Sequence, residues 1–181
     1  MTISTDRNIF RKSLLVLLTV ALLAAILLLS GCKTEIRVSE YRVMDMTILL
    51  PEGFEAYPRE GIDGFFVMGE ADNFAIVTVK RTLFSDANRF FANAGEWTVE
   101  QFAKYNYTTM GRKLQMNGEI PYVEYSQMNQ TTGDEEYYLV SLYKGTDAFW
   151  LIIFCTRETE RDNYREQFLE WSQTVRFDEN E

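Results

Sequence analysis

Ala148 to Cys155 reads AFWLIIFC, an unbroken apolar run set between Gly145-Thr146-Asp147 and Thr156-Arg157. A strand with one wet face alternates apolar and polar residues, whereas a short continuous run between turn signals marks a strand covered on both faces. This segment therefore predicts the central strand of a sheet, with other layers packed above and below it. Cys155 at its end reads as a small buried residue rather than a reactive thiol.

Working back from this strand, YYLVSLYK (137–144) is its expected antiparallel neighbour across the turn GTD. The stretch TTGDEE (131–136) separates that neighbour from KLQMNGEIPYVEYSQM (113–128), in which Asn117-Gly118 predicts a tight hairpin, since both residues accept positive φ. Further upstream, GFFVMGE (64–70) and NFAIVTVKRTLF (73–84) read as a hairpin joined through Glu70 to Asn73, with Asp72 and Asn73 as turn residues. The first segment, YRVMDMTILL (41–50), reads as a strand stopped by Pro51 and Gly53.

Two segments carry helical periodicity. In WTVEQFAKYNYTTMG (97–111), Thr98 and Gln101 have capping-box spacing, Trp97 and Phe102 occupy the staple positions, and Gly111 provides the stop. In RDNYREQFLEWSQTVRF (161–177), Tyr164, Phe168, Trp171 and Val175 form one apolar stripe. Its outer face places Asp162, Glu166 and Glu170 four apart, a repulsive spacing, so tertiary packing must hold this helix. The sum is an α+β fold: an antiparallel sheet of about six or seven strands flanked by two main helices.

The order of these elements, with ILLPEGFE (48–55), NGEIPYVEY (117–125), AFWLIIFCT (148–156) and the terminal VRF (175–177), resembles PsbP-like proteins. That family includes the extrinsic subunit of the photosynthetic oxygen-evolving complex, a Ran-binding nuclear import factor of the same fold, and many bacterial lipoproteins. The resemblance covers nearly all of residues 41–177. It implies an antiparallel sheet flanked by helices that serves as a binding or assembly module without catalysis. The histidines that some members use for metal have no counterpart here.

The N-terminal segment is different in kind. Arg7, Arg11 and Lys12 precede LLVLLTVALLAAILLL (14–29), the basic-then-apolar pattern of a secretory signal, slightly short of the roughly 20 residues of a membrane span. Leu29, Ser30, Gly31 and Cys32 then resemble the lipobox of bacterial lipoproteins. The resemblance implies cleavage after Gly31 and a diacylglycerol on the Cys32 sulfur. Two acyl chains suffice for stable anchoring where one is marginal. The expected organisation is a signal peptide over 1–31, the lipidated Cys and a short tether over 32–40, one domain over 41–177, and an acidic tail over 178–181. So short a tether holds the domain within about 30 Å of the bilayer, on its extracytoplasmic face.

Charge and composition exclude several functions. The net charge is -9, and removal of a leader holding Arg7, Arg11 and Lys12 against Asp6 makes the rest more acidic still. Such a chain is repelled by phosphate backbones, which disfavours nucleic acid as a partner. There is no histidine, so the common nucleophile triads and the commonest zinc ligand are excluded. No cofactor motif, catalytic motif or metal-ligand spacing is present. Asp134, Glu135 and Glu136 with Gly133 do not match a calcium loop and read as a solvated hairpin end.

The tyrosines are the remaining candidates for contact: Tyr105 and Tyr107 on the first helix, Tyr122 and Tyr125 on one strand, Tyr137, Tyr138 and Tyr143 on the next. Strands favour Tyr in any case, and half of these are expected to finish the core. The functional expectation is a lipid-anchored, non-enzymatic binding or assembly module with an envelope protein partner. The alternatives are a small solute- or glycan-binding lipoprotein associated with a transporter, and a carboxylate-dependent hydrolase. An aromatic-lined cleft favours a ligand, a flat aromatic patch a protein partner, and facing carboxylates with raised pKa an enzyme.

Overall fold

The computed structural model describes residues 37–70 and 73–178. The leader, the Leu29-Ser30-Gly31-Cys32 motif and the turn residue Asp72 lie outside them.

The strands, in chain order, are β1 (Val38–Val43), β2 (Met46–Pro51), β3 (Glu55–Ala56), β4 (Gly64–Glu70), β5 (Asn73–Leu83), β6 (Gln115–Asn117), β7 (Ile120–Met128), β8 (Glu135–Lys144), β9 (Ala148–Arg157) and β10 (Arg176–Phe177). Among the described residues three α-helices accompany them: a single turn α1 (Phe84–Ala87), then α2 (Val99–Tyr107) and α3 (Arg161–Ser172). Strands β3-β4-β5-β9-β8-β7-β6 form a seven-stranded sheet in that order, and β1-β2-β10 form a three-stranded sheet. Every pairing is antiparallel. The protein is thus α+β, with a seven-stranded antiparallel sheet and two main helices.

Strand β9 is the fourth of the seven, as its apolar run requires. Its alternate residues serve two cores. Ala148, Trp150, Ile152 and Phe154 meet the three-stranded sheet and α3, through Met46, Ile48, Leu50, Phe168 and Trp171. Phe149 faces the other way, against Phe102 and Ala103 of α2. Phe102 and Phe149 stack with centroids 4.0 Å apart. Leu151 and Ile153 lie beside this second core and are half-buried, so α2 covers only part of that face.

Four local expectations need correction. The stretch 41–50 is not one strand but most of a hairpin, turning at Met44-Asp45, where Met44 takes φ 55°. Strand β1 also starts at Val38, within the stretch read as tether. The β6–β7 turn is Gly118-Glu119, because Asn117 pairs with Ile120. Only Gly118 is left-handed there, at φ 63°. Asn117 stays in the strand and spends its amide on α3, donating at 2.8 Å to the Leu169 carbonyl of the last turn, which also accepts from the Ser172 hydroxyl at 2.7 Å. Finally, Val175 lies beyond the end of α3, and residues 176–177 pair with β2. The like charges along α3 are offset by burial of Phe168 and Trp171.

The two sheets approach closely at Gly64. A Cβ there would lie 2.6 Å from Val43 Cγ2, so only glycine lets β1 come this near β4.

Candidate functional site

Described residues line two concavities on the α2 face of the seven-stranded sheet. The first lies between α2 and the segment after α1. Thr98 fixes the start of α2 as its spacing predicts: its Oγ1 accepts from the Gln101 N–H at 3.2 Å, and its own N–H donates to Gln101 Oε1 at 2.8 Å. Trp97 and Phe102, the expected staple pair, each meet the ring of Phe91, stacked at 4.2 Å and edge-on at 6.2 Å. Tyr105 closes the group, 5.1 Å from Phe91 and 5.8 Å from Trp97.

Beside this cluster is a half-open cleft of about 270 Å³ lined by Phe90, Phe91, Phe102 and Tyr105, with Thr82, Ala87 and Asn106. None of its lining residues is charged. Phe90 is 76% exposed and Tyr105 46%, high values for rings this size. The residues next to them in sequence carry exposed ion pairs, Arg89 with Asp86 at 3.6 Å and Lys104 with Glu100 at 3.8 Å. An apolar centre with a charged rim is the anatomy of an interaction surface.

The second concavity, about 210 Å³, is a trough where α2 does not cover the sheet. Its floor follows the register: Tyr138, Cys155 and Ile76 are successive cross-strand partners, as are Ile153, Thr78 and Phe65. Arg59 lies over the Phe65 ring at 4.9 Å on one side, and Glu136 and Asn129 line the other. Burial pushes the Cys155 thiol up to about 12, with the Glu136 charge adding to it, so this sulfur stays protonated and unreactive near neutral pH.

The sequence candidates separate accordingly. Tyr122, Tyr137 and Tyr143 are core residues. Tyr143 donates to the Ser172 carbonyl at 2.6 Å. Tyr125 and Tyr138 are half-buried and stack on each other at 5.3 Å. Burial, reinforced by the bond to Glu136, holds the Tyr138 hydroxyl well above the usual range. Only Tyr105 joins the exposed aromatic group. Phe90 and Phe91 were not singled out, because they lie in RFFANAGE (89–96), a loop without periodicity, and Trp97 was read only as a staple residue. Adjacent phenylalanines in a polar loop were the available signal.

The acidic turn is not uniformly solvated. Glu136 is 8% exposed and accepts from Asn129 Nδ2 at 2.8 Å and from the Tyr138 hydroxyl. Asp134 pairs with Arg157 at 3.7 Å. Only Glu135 is left outward by the strand alternation that begins there. Among the described residues no group of three His, Cys, Asp or Glu could hold a metal.

Glu124 lies on the opposite face. Desolvation raises its pKa, but hydrogen bonds from Arg165, Gln115 and Tyr137 outweigh that and hold it at about 2. It is an anchoring anion rather than a proton donor.

No protein-family model matches the chain, and no curated protein matches it in sequence. Among solved structures, a protein of Bacteroides thetaiotaomicron is similar with a TM-score of 0.51 and 11% identity, over 80% of this chain and 49% of that one. The chain thus spans about half the length of that protein, and the likeness is one of fold. Cyanobacterial PsbP from Synechocystis is similar at TM-score 0.46 and 12% identity, over 82% of this chain and 96% of that one. LpqN, involved in cell envelope biogenesis of Mycobacterium tuberculosis, is similar at 0.45 and 8%, over 78% and 91%.

Proposed function

We propose that this chain is a lipid-anchored, extracytoplasmic, non-enzymatic binding module of the PsbP-like kind, held at a bacterial membrane surface by diacylglycerol on Cys32. In this reading it engages an envelope protein partner through the cleft beside α2. The basic leader, the apolar run and Leu29-Ser30-Gly31-Cys32 support the anchoring.

The observation that carries the binding role is the cleft with its protruding Phe90. The cleft of about 270 Å³ has no charged lining residue to orient a small ligand. It suits one apolar or aromatic side chain of a partner. A projecting ring beside a ring-sized hollow, with charges only at the rim, is the arrangement in which a few residues dominate protein affinity.

The test is crosslinking and co-purification of the full chain from its native membranes. Phe90→Asp, at an exposed position, is expected to lose a partner that wild type retains, at an unchanged unfolding midpoint. Equal recovery with the variant would refute the cleft as the contact surface. Cys32→Ala is expected to leave the membrane fraction and to lack the mass of the lipid. If it stays membrane-bound at wild-type levels with an unshifted mass, the anchoring is wrong.

A further inference from the structure

Arg59, like Arg37, Arg112 and Arg176, forms no ion pair among the described residues, and it is the one of these four that lines the trough. Arg42, Arg81, Arg89, Arg157, Arg161 and Arg165 each lie within 4.0 Å of a carboxylate. Arg59 has no carboxylate at that distance among the described residues, in a chain whose net charge is -9. Instead its guanidinium lies on the Phe65 ring at 4.9 Å, at the mouth of the trough. Contact with the ring face leaves N–H donors of the guanidinium for a ligand, and the fork geometry of that group suits a carboxylate.

The opposite side of the trough has the complementary chemistry. Glu136 is buried, and its orientation is set by Asn129 and Tyr138. A carboxylate offers about four acceptor positions, and these two donors use two. Between the charges the floor is apolar, from Phe65, Ile76, Ile153 and Cys155. Strands β4 and β8 are separated by β5 and β9, and Glu136 lies four residues along β8 from Val140, the residue in the cross-strand row of Phe65, which places the two sides about 20 Å apart at the backbone. Two long side chains reaching inward shorten that gap to the length of a small molecule.

We propose that the trough binds a short zwitterion with its carboxylate and ammonium at opposite ends, the class of a dipeptide or an ω-amino acid. The carboxylate pairs with Arg59, the ammonium with Glu136, and the body lies on the floor between them. The trough's volume of about 210 Å³ admits such a ligand and is too small for a drug-sized one. The site is separate from the α2 cleft and stands whether or not that cleft binds a protein.

The test is isothermal titration of the full chain in detergent with 6-aminohexanoate and with alanylalanine of either hand. Hexanoate and 6-aminohexanamide serve as one-ended controls. At least one two-ended probe is expected to bind saturably at millimolar concentration or tighter, and Arg59→Gln is expected to weaken it about tenfold or more. Glu136→Gln is expected to do the same, provided its unfolding midpoint matches wild type. Absence of saturable binding by every two-ended probe, unchanged affinity in Arg59→Gln, or hexanoate binding as tightly as 6-aminohexanoate would each overturn the proposal.

Discussion

Glu124 shows how much one side chain organises. It sits on β7, 15% exposed, and takes Arg165 Nε at 2.9 Å and the Tyr137 hydroxyl at 2.7 Å, so that one carboxylate ties α3 to two strands. Its pKa of about 2 in the fold lies below its ordinary value of 4.5. A carboxylate depressed in this way stabilises the fold fully above its unfolded pKa, and the contribution is lost as pH falls from about 4.5 towards 2. Arg165→Met is therefore expected to destabilise the protein by about 1–3 kcal/mol at pH 7. The variant should also flatten the dependence of stability on pH between 5 and 2, as measured by urea unfolding at a series of pH values. An unchanged acid slope would show that Glu124 owes its low pKa to other donors. None of this was legible in the sequence, since Glu124 and Arg165 are distant in the chain and neither belongs to a motif. Asn117 makes the same point: its turn propensity was visible, but the α3 carbonyl that holds it in the strand was not.

At the scale of elements, legibility follows how local the deciding interaction is. The start of α2 depends on Thr98 and Gln101, three residues apart, and both reciprocal bonds form as their spacing predicts. Thr98→Ala leaves the Gln101 N–H without its side-chain acceptor at an exposed position. It is expected to cost about 1 kcal/mol by thermal or urea unfolding. A loss near zero would mean that water replaces the cap fully. Strand β9 was equally legible, because an apolar run bounded by turns specifies burial on both faces regardless of what covers them. The β1–β2 hairpin was not, because Met44-Asp45 is an uncommon turn pair and Met44 reaches positive φ without being glycine or asparagine. Strand β10 is only two residues long and exists through its pairing with Thr47 and Met46. No propensity within so short a segment competes with its neighbours.

Over the whole molecule, α3 joins the layers. Phe168 is fully buried and meets the rings of Tyr137, Phe154, Tyr164 and Trp171, in the core shared by both sheets. Phe168→Ala is expected to cost about 3–5 kcal/mol. Far-UV circular dichroism and tryptophan fluorescence should still report one coincident unfolding transition. Separate transitions would show that the three-stranded sheet unfolds on its own. The sequence by itself determined the α+β class, the central place of β9, the two main helices with the cap of α2, and the exclusion of histidine chemistry. Each of these rests on residue type or on spacing within a few positions. Only the tertiary structure decided that the sheets are two, that Glu136 turns inward while Tyr122, Tyr137 and Tyr143 finish the core, and that Phe90 and Arg59 stand beside open concavities. Those outcomes depend on which distant side chains compete for the same space and the same hydrogen bonds, and that competition is settled only when the layers close.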